Sequence, residues 1–184
     1  MRQREYVEPL APGDLSPDGE LRALKDTNQV SPKWMKIFRA GRDNVDQLAV
    51  LFDLYRQFYE QDADLEACRR FIGDRIGNKE SVVLVAESQE GRLLGFTQVY
   101  HSFCSVAMDR IIYLYDLYVH PDARGTGLGR ALMNAATDYA RSQGASRLQL
   151  ETAHSNIIGQ NLYESLGYEK DEEFYTYHLE LGHG

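Results

Sequence analysis

Cysteine is nearly missing from the sequence: Cys68 and Cys104 stand far apart, without Cys-x-x-Cys or Cys/His ligand spacing. A disulfide framework and a zinc site are therefore not readable, and each thiol is expected as a small buried or half-buried apolar side chain. No metal is expected. Proline is scarce and lopsided, with Pro9, Pro12, Pro17 and Pro32 near the start and only Pro121 later. Residues 1–33 show no sustained period and are expected to be an irregular extension, with the folded domain over 34–184. No run approaches the roughly 18 apolar residues that span a bilayer, and the first residues lack the apolar centre of a secretory signal. No membrane partner and a cytoplasmic location are the expectation. Basic residues are outnumbered, 20 Lys and Arg against 28 Asp and Glu for a net charge of -8, so the field repels phosphate backbones and disfavours nucleic acid.

What is present fits one globular domain. The chain has 184 residues, 43% hydrophobic and 26% charged, close to the usual globular balance, and its length matches roughly one domain at about 150 residues each. Trp34 to Ala40 alternates as a first strand, and Val45, Leu48, Ala49, Phe52, Tyr55 and Tyr59 then recur at helical spacing. Leu65, Cys68, Ile72 and Ile76 predict a second, shorter helix. The period changes to two at Ser81–Glu87 and again at Leu93–His101, joined by a Gln-Glu-Gly-Arg turn, which predicts an antiparallel hairpin. Arg110–Val119 reads as a long central strand stopped by Pro121. A helix carrying Leu128, Leu132, Ala135, Ala136 and Tyr139 follows, ending near Gly144. Next come a strand over Ser146–Thr152, a helix from Asn156 to Leu166, and a final alternating strand over Phe174–Leu181. The order predicts a mixed α/β fold, in which the strand–helix–strand unit from Arg110 to Thr152 makes a right-handed parallel crossover.

The most specific segment is Arg124-Gly125-Thr126-Gly127-Leu128-Gly129-Arg130, between a strand end and a helix start. Its glycines remove Cβ atoms, so successive N–H groups can face one concavity, and the helix beginning there aims its positive end at the same spot. Arg124 and Arg130 flank it and would add charge-assisted contacts. The turn is expected to bind a phosphate or pyrophosphate. A P-loop would need Lys and then Ser or Thr after the last glycine, where Arg130 and Ala131 stand. A dinucleotide fingerprint begun at Gly125 would need glycine at the position of Arg130.

The remaining pattern, R-x-x-G-x-G at Arg124, Gly127 and Gly129, resembles the GNAT superfamily of acyl-CoA-dependent N-acetyltransferases. The likeness runs from about Trp34 to Leu181 and includes LYDLYVHPDARGTGLGRALM, LQLET and NIIGQNLYESLGY. It implies a central mixed, mostly antiparallel sheet splayed at its middle strands, with helices on both faces. It also implies that acetyl-CoA, as co-substrate, rests its pyrophosphate on the Arg124–Arg130 turn. Leu117, Tyr118 and Val119 would offer main-chain groups to the pantetheine at a bulge where the strands part, and one of their amides would stabilise charge on the acyl oxygen. Tyr163, in N-x-x-G-x-x-L-Y, would protonate the departing thiolate, and Asn156 would hydrogen-bond the pantetheine or sulfur region. Gly159 departs from the alanine common in the family, a change expected to matter little. Dimers are frequent among similar proteins.

On the acceptor side the residues leave alternatives open. Asp116, the sole carboxylate in RIIYLYDLYV, is either the base that takes the amine proton or a structural acceptor for neighbouring amides. Strict alternation sets it opposite Tyr115 and Leu117 unless a bulge resets it. His154 is a second candidate base or a cap. Tyr113 and Tyr115 either line an acceptor channel or belong to the core, and Tyr59–Asp64 either walls a cationic acceptor or is a solvated connection. The resulting expectation is acetyl transfer from acetyl-CoA to a primary amine of a small molecule, of polyamine, amino-sugar or amino-acid type. The alternatives are a non-catalytic acyl-CoA-binding module and a protein lysine or N-terminal acetyltransferase.

Overall fold

A computed structural model describes residues 36–182. The proposed extension over 1–33 lies outside the described residues. Five strands form one sheet in the order β1-β2-β3-β4-β5: β1 Lys36–Arg39, β2 Val82–Glu87, β3 Leu93–Cys104, β4 Asp109–Val119 and β5 Arg147–Gln149. The first four pair antiparallel, and β5 joins β4 in parallel through Ile111↔Arg147, Ile112↔Leu148 and Tyr113↔Gln149. The parallel pairing of β4 with β5 is as expected.

Helices cover both faces. α1 (Val45–Phe58) and α2 (Leu65–Gly77) bury Leu48, Ala49, Leu51, Phe52, Cys68 and Ile72 against Val83, Val85, Phe96 and Tyr118. α3 (Leu128–Ser142) lays Leu132, Met133, Ala136 and Ala140, one stripe at helical spacing, on the opposite face. α4 (Ile157–Ser165) follows β5 and places Leu162 and Tyr163 beside Ile112, Leu114 and Met133. Gly144 ends the α3 turn with a positive φ of 67°, the conformation that lets its amide bond the Arg141 carbonyl.

Two expectations are corrected. Phe174–Leu181 pairs with no strand among the described residues, and Phe174 and Tyr175 are 75% and 88% exposed. Alternation specifies a strand only where a neighbouring edge accepts its hydrogen bonds, and here an Asp171 side chain instead takes the amides of Glu173 and Phe174 into a local turn. The bulge, expected at Leu117–Val119, lies earlier: Gln98 pairs with Asp116 and Val99 with Leu114, which leaves Tyr115 as the extra residue of β4.

Candidate active site

The bulge determines what β4 presents. Before it, Ile112 and Leu114 pack toward α3; after it, Leu117 and Val119 take that face while Tyr118 joins the α1 side. Without the extra residue Asp116 would continue the Ile112–Leu114 row. With it, Asp116 turns to the α1 face and meets the hydroxyl of Tyr55, which donates to its carboxylate. Tyr115 lands on the same face, its ring 5.5 Å from that of Tyr100 and 6.2 Å from that of Tyr113. One inserted residue therefore places a carboxylate and an aromatic ring side by side.

Asp116 is 7% exposed. Burial outweighs the Tyr55 hydrogen bond and raises its pKa to about 6, because removing a carboxylate from water penalises the charged form. The Tyr55 phenol is pushed up by its own burial and then by the adjacent Asp116 charge, so it stays a donor. Gln98, the cross-strand partner of Asp116, donates through Nε2 to the Tyr100 hydroxyl, while its Oε1 is buried with no protein partner.

β4 and β5 part just beyond their third pair, Tyr113↔Gln149, so Leu117, Tyr118 and Val119 lie past the end of the β5 ladder. The Val119 carbonyl accepts from Arg124 Nε at 3.1 Å. Gln149 and Glu151 point away from Leu148 and Leu150: Gln149 Nε2 donates to the Tyr113 hydroxyl at 3.2 Å, and that hydroxyl donates to Glu151 Oε1 at 3.0 Å.

The glycine turn has the geometry its composition predicts. Gly125 and Gly127 hold φ of 74° and 82°, and Gly127 is the left-handed N-cap of α3. Any Cβ at these two positions would point into open space, so the conformation and not crowding demands glycine. The Gly127 carbonyl receives its first helical bond from Ala131 at 3.0 Å, which leaves the amides of Leu128, Gly129 and Arg130 as first-turn donors without intrahelical acceptors. Thr126 Oγ1 donates to the Ala123 carbonyl at 2.7 Å and braces the turn. An anion such as a diphosphate fits this open, donor-lined cradle.

Both flanking arginines are committed to the protein. Arg124 lies over Phe58 and Tyr118, at 5.9 and 5.7 Å from the ring centres, and Arg130 donates to Ser165 Oγ at 2.7 Å. The Arg130 contact, with Leu162 packed against Gly129, fastens α4 to the turn. Tyr163 is held next to Leu162; burial pushes its phenol up and its hydroxyl bonds Thr152. It keeps its proton through neutral pH.

Asn156 caps α4. Its Oδ1 accepts from Gly159 N at 3.1 Å and its Nδ2 donates to Thr152 Oγ1 at 3.0 Å. Both ends of the amide are thus used in holding Thr152, the partner of Tyr163. Gly159 matters more than helix propensity suggested, since a Cβ there would sit 2.5 Å from Asn156 Nδ2. His154 is exposed on the loop before α4, where its carbonyl accepts from Gln160. In the Tyr59–Asp64 segment, Asp64 spends its carboxylate on capping α2 and the Asp62 carbonyl accepts from Arg56. Cys68 is buried and Cys104 half-buried, neither in this region.

The sequence reading overlooked Tyr55, Gln98 and Glu151. Tyr55 was legible as a phenol inside an apolar helical stripe, and Glu151 as a polar residue alternating against Leu148 and Leu150. Gln98 carried no signal, because its importance comes from what β4 sets opposite it.

A parted β4–β5 pair beside a glycine-capped helix defines the acyl-CoA N-acyltransferase type of fold. The comparisons with known proteins give the same answer: the chain belongs to the acetyltransferase (GNAT) family, whose model matches residues 48–168. It is 45% identical over 147 residues to the uncharacterized N-acetyltransferase YhfO of Bacillus subtilis, covering 80% of this chain and 98% of that one. A solved structure described as a probable acetyltransferase superposes with a TM-score of 0.76 at 38% identity, covering 82% of this chain and all (100%) of that one. A thialysine N-epsilon-acetyltransferase of Bos taurus is 35% identical over 81 residues, 44% of this chain and 47% of the relative. The protein is an acyltransferase enzyme, and its family uses acetyl-CoA as co-substrate.

Proposed function

We propose that the protein transfers the acetyl group of acetyl-CoA to a primary amine of a small molecule, by direct attack within a ternary complex. The observation that carries this reading is the placement of Asp116, turned by the Tyr115 bulge to the α1 face at the level where β4 leaves β5. The Leu128–Arg130 amides would hold the diphosphate, and Leu117–Val119 the pantetheine arm. The thioester of bound acetyl-CoA supplies the activated acyl carbon.

Asp116 receives the proton that the amine sheds. The acceptor attacks as the neutral amine, the minor form of a group with a pKa of about 10, and its nitrogen becomes far more acidic as the C–N bond forms, so a carboxylate of pKa about 6 suffices to take the proton it then sheds. Tyr163 gives its proton to the departing sulfur. Thr152, steadied by Asn156, orients that phenol. The acetylated amine and CoA thiol account for all atoms, with one proton passing in net from nitrogen to sulfur. A relative named for acetylating the side-chain nitrogen of thialysine supports a small primary amine as acceptor. Two free cysteines, one buried, are consistent with action in the cytoplasm.

The test is Tyr163→Phe under saturating acetyl-CoA and amine. Loss of a positioned acid lowers the chemical rate by about a hundredfold or more. An unchanged single-turnover rate would remove Tyr163 from the chemistry.

A further inference from the structure

We infer that Tyr100, Tyr113 and Tyr115, with Glu151 beside Tyr113 and Asp116 beside Tyr115, form an acceptor subsite for an amine that carries a second cationic centre. This rests on the reading of the chain as an amine acetyltransferase and adds what the non-reacting part of the acceptor must be. Four observations converge.

Tyr115 is 67% exposed: it shares the face of Tyr113 by strand alternation and lies past the last β4–β5 pair, where no fifth strand flanks β4. As the extra residue of the bulge Tyr115 has no partner on β3, and the side chain that the bulge re-aims is Asp116, which it brings to the same face. The Tyr100 and Tyr113 rings flank Tyr115 at 5.5 and 6.2 Å, so the three make a continuous aromatic wall. Such a wall attracts a cation through the negative faces of its rings. Glu151 accepts the Tyr113 hydroxyl and, at 3.4 Å, the Thr176 hydroxyl, which leaves the exposed carboxylate with acceptor capacity for an ammonium. Gln98, only 1% exposed, braces Tyr100 from beneath and holds an unpartnered carbonyl oxygen there, so the floor of the wall adds negative and not positive potential.

Arg75 is the cation whose field reaches Tyr100. It is already paired with Glu80 and stacked on Phe71 at 4.7 Å, which draws its charge toward α2. The arrangement gives the acceptor a direction. Its reacting nitrogen lies toward Asp116, and its second cation lies over the tyrosines toward Glu151. A monoamine of equal length would fill the same space but forgo the second contact.

The experiment compares putrescine with butylamine as acceptors for the full chain, following CoA thiol release. Wild-type protein is expected to favour putrescine in kcat/KM by at least about tenfold. Tyr115→Ala should cut that ratio by about two- to thirtyfold and Tyr115→Phe restore it, as loss and return of a cation–ring contact require. Glu151→Gln should cut it by about two- to fivefold. Thermal midpoints and acetyl-CoA titrations establish that each variant is folded. A ratio near one in wild type, or a ratio that neither Tyr115→Ala nor Glu151→Gln lowers, overturns the subsite. If neither amine is turned over, calorimetry decides: putrescine binding weakened by Tyr115→Ala sustains the subsite while refuting acetyl transfer to these amines, and no binding refutes the subsite.

Discussion

Replacing Asp116 by asparagine should stabilise the protein while disabling it. Burial raises the Asp116 pKa from 3.8 to about 6, so the fold holds the protonated form more firmly than the unfolded chain does. The sign follows from that difference. Below about pH 4 the carboxyl is neutral in both states and costs nothing as a charge. Between about pH 4 and 6 the unfolded chain releases the proton first, and above 6 the folded protein bears the full cost of a buried anion. At about 1.4 kcal/mol for each tenfold in proton affinity, that cost reaches about 3 kcal/mol. Asparagine keeps an oxygen for the Tyr55 hydroxyl and adds an N–H on the strand position facing the unpartnered Gln98 Oε1. Allowing for its own burial, the gain at pH 8 should be about 2 kcal/mol, or about 4–8 °C in midpoint for a domain of this size. Scanning calorimetry of parent and variant at pH 8 and pH 4, beside a transfer assay at pH 8, checks both halves. A variant that melts no higher than the parent at pH 8, or whose advantage is undiminished at pH 4, refutes the account of Asp116 as a costly buried anion.

Tyr55→Phe removes the hydrogen bond that holds the Asp116 carboxyl down, so the acidic limb of the kcat/KM profile, centred near pH 6 in the parent, should move to higher pH. A limb that stays in place would detach Tyr55 from the base. Gly127→Ala forces a side chain into φ 82°, at a strain of about 1–2 kcal/mol, and should weaken acetyl-CoA binding by about five- to thirtyfold in a calorimetric titration. Affinity equal to the parent would mean that the left-handed cap does not shape the diphosphate cradle.

Most of the architecture was legible because it is written in local periods. The α3 stripe of Leu128, Leu132 and Ala136 repeats at helical spacing, Gly144 and Gly167 close their helices with positive φ, and the glycine turn separates itself from other phosphate loops by Arg130 and Ala131. Phe174–Leu181 shows the limit of such reading. It alternates where β2 is a continuous apolar run, yet β2 pairs on both sides and Phe174–Leu181 with no described edge, since a strand needs a partner and not only a pattern.

The sequence by itself determined the element order as far as α4 and the cradle at Gly125–Gly129, because turns, caps and amphipathic faces depend on residues a few positions apart, while the candidacy of Tyr163 came from the resemblance of its N-x-x-G-x-x-L-Y segment to the GNAT family. Only the tertiary structure decided which way Asp116 faces. That choice depends on how β4 registers against β3, and one extra residue at Tyr115 reverses the face of every side chain after it. The meeting of Asp116 with Tyr55 from α1 follows from that register, and that of Tyr113 with Glu151 from the parallel pairing of β4 with β5.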